Sequence, residues 1–134
     1  MNQDKEHLDL LAVFHYVVAG MTALMACFPF IHLAMGIVFL VARFDGPNPP
    51  PRFVGWLLVI VASFFILCGW ALALLMFLAG RRLHRRAAWR FCFVVAAIEC
   101  ILMPFGTVLG VFTIIVLSRA SVKELFGVKP AAPL

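Results

Sequence analysis

Glu99 is the residue whose type and position could do chemistry, because it is the one charged side chain between Phe91 and Ser118. An ionisable group within an apolar segment is costly to bury and is a functional hypothesis by default. Counted from residue 87, Glu99 lies roughly 18 Å along a helix, at a depth similar to that of Thr22 in the first apolar stretch. Glu99 and Thr22 are therefore the candidate intramembrane polar site.

Two hypotheses account for Glu99. In the first, it is a proton or ion relay, or the contact point for a charged ligand. In the second, a protonated Glu99 hydrogen-bonds Thr22 or a backbone carbonyl and ties helices together. The apolar stretches hold no second carboxylate and no Lys or Arg, and this favours the structural hypothesis.

Two histidines are also titratable groups within the apolar stretches. His15 and His32 lie roughly 25 Å apart on a continuous helix, so they cannot be axial ligands of one haem. Because imidazole has an apolar body and a polar tip, it suits a membrane–water interface. We expect His15 near the inner interface of the membrane and His32 near the outer one.

The cysteines form no CxxC pair, and each lies within an apolar stretch: Cys27, Cys68, Cys92 and Cys100. Buried packing residues are the simplest interpretation. We expect no metal site, no cofactor and no disulfide framework. The sequence contains no HExxH, nucleophile elbow or phosphate loop, and we do not expect an enzyme.

Three long apolar stretches must position these residues, and they decide the fold class. Leu10 to Ala42 and Phe53 to Ala79 carry no charge, and Phe91 to Ser118 carries only Glu99. About 20 apolar residues suffice to cross the hydrocarbon core of a bilayer. The chain has 134 residues, 65% of them hydrophobic, so little remains outside the spans. We predict an all-α integral membrane protein with one transmembrane domain, 1–134, and the lipid bilayer as its first partner.

Prolines divide the stretches into about four transmembrane helices: about 9–42 kinked at Pro29, 53–79, 87–103 and 105–118. The segment RFDGPNPPPR forms an extended connection, and Pro104-Phe105-Gly106 turns the last two helices into a hairpin. A short interfacial helix follows at 121–126. One alternative stays open: Leu10 to Ala42 could itself be a hairpin, which would move the N-terminus outside.

A basic loop predicts the orientation in the membrane. It contains Arg81, Arg82, Arg85, Arg86 and Arg90. The positive-inside rule puts this loop, and with it both termini, in the cytoplasm. The loop could also bind anionic lipid headgroups. Since topology explains the net charge of +5, we expect no nucleic acid partner.

Small residues provide faces on which helices can approach closely. Gly106 and Gly110 form a GxxxG motif in an apolar helix, and Ala19 and Ala23 form a second small-residue face. Such faces serve packing within one chain or self-association. The sequence favours packing within the chain somewhat.

The two ends of the apolar region resemble a known group of proteins. The segments FHYVVAGMTALMACFPFIHLAMG (14–36) and PFGTVLGVFTIIVLSRASVKELF (104–126) cover about a third of the chain. They are similar to the ends of small, uncharacterised, polytopic bacterial membrane proteins. The resemblance implies a bacterial inner membrane and carries over no activity or site residue.

These observations favour a small multi-pass membrane protein that associates with itself or with a larger membrane protein. Short loops, small-residue faces and the lack of reactive constellations support this hypothesis. The alternative is an oligomeric transporter or channel subunit that uses Glu99, because one short chain can hardly line a pathway.

Overall fold

The computed structural model describes residues 2–42, 49–101 and 105–128, and this part of the chain is helical with short connections. Its helices are α1 (Asn2–Cys27), α2 (Phe30–Val41), α3 (Arg52–His84), α4 (Trp89–Glu99), α5 (Phe105–Ser118) and α6 (Ala120–Leu125). No strand occurs among the described residues. The predicted all-α class is confirmed.

Two helical segments are long and apolar enough to cross a membrane. They are Gln3–Val41, which joins α1 and α2, and Arg52–His84, which is α3. The remaining long elements, α4 with 11 residues and α5 with 14, are roughly 16 and 21 Å long. Both are shorter than a hydrocarbon core of about 30 Å. By length and composition, the described residues thus contain two candidate membrane spans, and the predicted bundle of four spans is not confirmed.

The break between α1 and α2 lies at Pro29, as predicted. Proline has no N–H to continue the helical bonding pattern. The chain tightens before it, where Phe28 N donates to Met25 O at 3.1 Å, and resumes after it, where Leu33 N donates to Pro29 O at 2.9 Å.

The predicted start of the first helix near residue 9 is wrong, because α1 begins at Asn2. The residues before Leu10, several of them charged, form the N-terminal part of α1 ahead of its apolar part. Asp4 lies in the first turn, where a negative charge interacts favourably with the helix dipole.

The predicted end of the second span at 79 is also wrong. Gly80 does not stop α3, which continues to His84 and carries Arg81 and Arg82 in its last turn. Positive charges are favourable at a helix C-terminus. A tight connection follows, in which Arg86 and Ala88 adopt positive φ angles of 51° and 57°.

The first helix of the C-terminal hairpin is shorter than predicted. The helix expected at 87–103 is α4, which begins after the left-handed Ala88 and ends at Glu99. Thr107 of α5 donates its hydroxyl to Cys100 O at 2.9 Å, which satisfies a carbonyl at the end of α4. The helix predicted at 105–118 has these bounds as α5.

The chain forms two compact units. The first comprises Met1–Gly20 and Ala73–Leu134, and the second comprises Met21–Leu72. In the second unit, α2 packs against α3 through Gly36. A Cβ at Gly36 would lie 3.0 Å from Val59 N, so the two backbones approach too closely for a side chain.

The first unit contains a continuous apolar core. It is built by α1, the end of α3, the hairpin and α6, and includes Leu8, Ala12, Ala79, Leu83, Cys92, Val95, Leu117 and Val122. The candidate site lies in this unit.

Candidate functional site

Glu99 and His15 form a buried pair in the first unit. Glu99 is the last residue of α4, and His15 lies midway along α1. Both residues have no exposed surface, and His15 Nε2 lies 3.1 Å from Glu99 Oε2. Titratable side chains are rarely buried completely unless they are paired. The pair is therefore the strongest candidate for a functional site among the described residues.

The backbone fixes which ring nitrogen of His15 faces Glu99. His15 Nδ1 lies 2.8 Å from Leu11 O, and a carbonyl oxygen can only accept, so Nδ1 carries a hydrogen. Nε2 is left to face the carboxyl group.

The two side chains are in contact, but their hydrogen-bonding capacity is not fully satisfied. Within the described residues, His15 Nε2 and both oxygens of Glu99 make no hydrogen bond of good geometry, although Nε2 and Oε2 are within contact distance. A buried polar group without a partner costs about 1–3 kcal/mol. The site is thus polar, enclosed and able to accept a further hydrogen bond at Glu99 Oε1.

Two close helix approaches hold the pair in place. A Cβ at Gly80 of α3 would lie 3.1 Å from both Ala12 O and His15 Cβ. A Cβ at Gly110 of α5 would lie 2.4 Å from Ala96 O. The approach at Gly80 is tight and the one at Gly110 leaves no room for a side chain, so α3 packs against the His15 side and α5 packs against the last turn of α4.

The predicted polar site brought together Glu99 and Thr22, whereas the structure gives His15 as the partner of Glu99. Thr22 lies half-buried in the second unit. The His15 side chain is completely buried within the protein, and its expected depth near the inner membrane interface stays a prediction.

The rise along the two helices explains why sequence reasoning missed His15. Asp4 of α1 contacts Arg119 beyond the end of α5, so the base of the hairpin is level with the first turn of α1. The rise from Asp4 to His15 is roughly 16 Å, and that from Trp89 to Glu99 is roughly 15 Å. When the rise along α1 is counted from Asp4 rather than from residue 9, His15 lies at the level of Glu99.

The predicted packing glycines lie on a buried face of α5. Gly106 and Gly110 are both buried, and Gly110 faces α4 across the hairpin. In this structure, the contact at Gly110 is made within the chain.

The predicted basic loop is spread over three parts of the first unit. Arg81 and Arg82 are in the last turn of α3, Arg85 and Arg86 lie in the connection, and Arg90 is in the first turn of α4. The Arg82 guanidinium lies over the Phe91 ring, 5.2 Å from its centroid.

Contacts among polar and aromatic residues gather the ends of the helices around this loop. Asp9 of α1 lies 3.2 Å from His84 of α3. Trp89 Nε1 donates to Leu117 O at 2.8 Å, and the Lys123 ammonium lies 5.5 Å from the Trp89 ring centroid. We call this region the basic end of the first unit.

Among the described residues, no group of three His, Cys, Asp or Glu side chains is placed to hold a metal ion. No family model, no curated protein and no solved structure matches this chain. The likeness of residues 14–36 and 104–126 to a bacterial membrane protein family therefore stays a prediction.

Proposed function

We propose that this chain is a small multi-pass protein of the bacterial inner membrane, without enzymatic activity, that works as a self-associating or accessory subunit. The observation that carries the proposal is the exposed apolar surface of the two membrane-length segments. In each segment, only 11% of an apolar stretch of 18 residues is buried within the chain. Large apolar side chains such as Leu24 and Leu67 are more than two-thirds exposed. Lipid and partner helices are the surroundings that suit such a surface.

Gly20 indicates where a partner helix could approach. It lies in the interior of α1, its surface is exposed, and a Cβ placed on it would meet nothing within 4 Å. Glycine in a helix interior costs about 0.5–1 kcal/mol relative to alanine. Packing within the chain does not require glycine at this position, whereas close contact with a second helix would.

The basic end supports a cytoplasmic position for both termini. Contacts of Asp4 with Arg119 and of Asp9 with His84 bring the start of α1, the end of α3 and the start of α6 together. The positive-inside rule favours the cytoplasm for this basic region. In the proposed topology, Gln3–Val41 and α3 cross the membrane, and the short α4–α5 hairpin enters and leaves on the cytoplasmic side.

Native mass spectrometry of the protein released gently from its membrane tests the proposal. We expect a defined homo-oligomer, or a complex with another membrane protein. Gly20→Leu should lower the bound fraction, because its side chain would hold a partner helix away. Val17→Leu is the matched control, since Val17 is an exposed residue of the same helix. A bare monomer under all release conditions would contradict the proposal, and equal effects of both variants would exclude Gly20 as the contact.

The His15–Glu99 pair supports an alternative, an oligomeric transporter or channel subunit that uses Glu99. A buried imidazole 3.1 Å from a buried carboxyl group has the residue types of a proton relay. Proton and ion flux into proteoliposomes would be compared for the wild type and Glu99→Gln. Loss of flux with intact assembly favours transport, whereas loss of assembly favours a structural role for the pair.

A further inference from the structure

A groove of about 610 Å³ lies between α1 and α5 in the first unit. Apolar side chains form its walls, including Phe14 and Val18 from α1 and Val108 and Phe112 from α5. Phe14 and Phe112 are at least half exposed, so the groove is open along its side. It can therefore be filled from the surrounding bilayer.

The two ends of this groove differ in polarity. Among its lining residues, the polar ones are His7 and Arg119. His7 is at the beginning of α1 and Arg119 follows the end of α5. Both lie at the basic end, where Asp4 of α1 contacts Arg119. The groove thus has the polarity of an amphiphile, with a cationic end and an apolar body.

The groove is long enough to extend through the hydrocarbon part of one bilayer leaflet. From Phe105 to Arg119 the rise along α5 is roughly 21 Å. Half of a hydrocarbon core of about 30 Å is roughly 15 Å. An acyl chain that starts at the basic end can therefore lie against α5 for its whole depth in the leaflet.

Arg119 retains donors for an anionic headgroup. Its side chain is about half exposed, and one of its guanidinium nitrogens lies 3.4 Å from Asp4 Oδ1. This distance is longer than the roughly 2.7–2.9 Å of a strong charge-assisted hydrogen bond. Guanidinium has five N–H donors in a planar fork that suits phosphate oxygens.

We propose that this groove binds a phospholipid with an anionic headgroup, its phosphate at Arg119 and one acyl chain between α1 and α5. The proposal rests on the membrane location proposed above. It is independent of self-association, because all the residues that form the groove belong to one chain.

The test is native mass spectrometry in detergent with equal amounts of phosphatidylglycerol and phosphatidylcholine that carry the same acyl chains. We expect the wild type to retain phosphatidylglycerol selectively. Arg119→Gln should lower that retention about fivefold, the effect of roughly 1 kcal/mol for one basic residue near anionic lipid. Asp4→Asn should raise it, because it removes the carboxylate that competes for Arg119. Val108→Trp should lower the retention of both lipids by filling the groove.

Arg90→Gln is the matched control, because it removes one exposed charge at the basic end but outside the groove. Equal retention of the two lipids by the wild type would overturn the proposal. An equal loss of phosphatidylglycerol retention in Arg90→Gln and Arg119→Gln would also overturn the proposal, and would assign the lipid to the basic loop. If Val108→Trp changed the number of copies and left the bound lipid unchanged, the groove would hold a second chain instead.

The spectra count chains and lipids separately, so failure of the two proposals can be told apart. Loss of selective lipid with an intact oligomer overturns the lipid site alone. A monomer that keeps phosphatidylglycerol overturns self-association alone.

Discussion

At the scale of single residues, the buried His15–Glu99 pair makes a specific prediction about stability. Replacing either residue with leucine leaves a buried polar atom without its partner, and we expect a loss of about 1–3 kcal/mol in the free energy of unfolding. The double variant His15→Leu/Glu99→Leu should lose less than the sum of the two single changes, because two apolar residues need no partner. The free energy of unfolding of the two single variants and the double variant is measured in mixed detergent micelles.

The conservative change Glu99→Gln is the control for this cycle. Its amide can donate to His15 Nε2, as a protonated Glu99 would, so it should cost less stability than Glu99→Leu. Additive losses in the two leucine variants would contradict an energetic coupling between His15 and Glu99.

The candidate site could be predicted in part. Glu99 stands out in the sequence because an isolated charge within an apolar stretch is costly. Its partner does not stand out, because the pairing depends on which turns of α1 and α4 lie at the same level. That level is set by contacts such as Asp4 with Arg119, which join residues far apart in the chain and leave no local pattern.

At the scale of helices, the close approach of α5 to α4 makes a second prediction. Gly110→Ala places a Cβ 2.4 Å from Ala96 O, and a backbone atom cannot move away cheaply. We expect a loss of about 1–3 kcal/mol in unfolding free energy, as for other overpacked sites. Gly20→Ala is the matched control, because nothing lies within 4 Å of its added Cβ. In a detergent that disperses monomers, it should gain about 0.5–1 kcal/mol.

These two variants are compared by thermal unfolding in the same detergent. Equal stability of Gly110→Ala and the wild type would show that α4 and α5 are more loosely packed than the structure has them. In that case the support that α5 gives to the last turn of α4, and so to Glu99, would also be lost.

Helix interiors were more predictable than helix ends. The break at Pro29 follows from the missing N–H of proline, and the apolar interior of α5 follows from its uncharged sequence. The start of α1 and the end of α3 were misjudged because hydropathy marks the apolar part of a helix. Asp4 and Arg81 continue the helices beyond it, with charges that suit the dipole at each end.

At the scale of the whole molecule, the lengths of the helices and the basic end support the proposed topology. The all-α class could be predicted because long apolar stretches must satisfy their backbone polar groups internally. The length of α4 could not, because the apolar stretch from Phe91 to Ser118 continues past the residue at which α4 ends. The actual lengths of α4 and α5 depend on where Glu99 ends one helix and Phe105 begins the next.

The topology predicts which positions a membrane-impermeant thiol reagent can reach from outside the inner membrane. In a variant whose native cysteines are replaced by alanine, Pro49→Cys should be labelled in intact spheroplasts, because the proposed topology places the connection before α3 outside. Glu6→Cys and Glu124→Cys, both at exposed positions, should be labelled only after permeabilisation, because the proposed topology places the basic end in the cytoplasm. Labelling of Glu6→Cys from outside, with Glu124→Cys still protected, would instead mean that Leu10 to Ala42 forms a hairpin. Labelling of Glu124→Cys alone from outside would contradict the contact between Asp4 and Arg119, whereas labelling of both variants would place the basic end outside and overturn the proposed orientation.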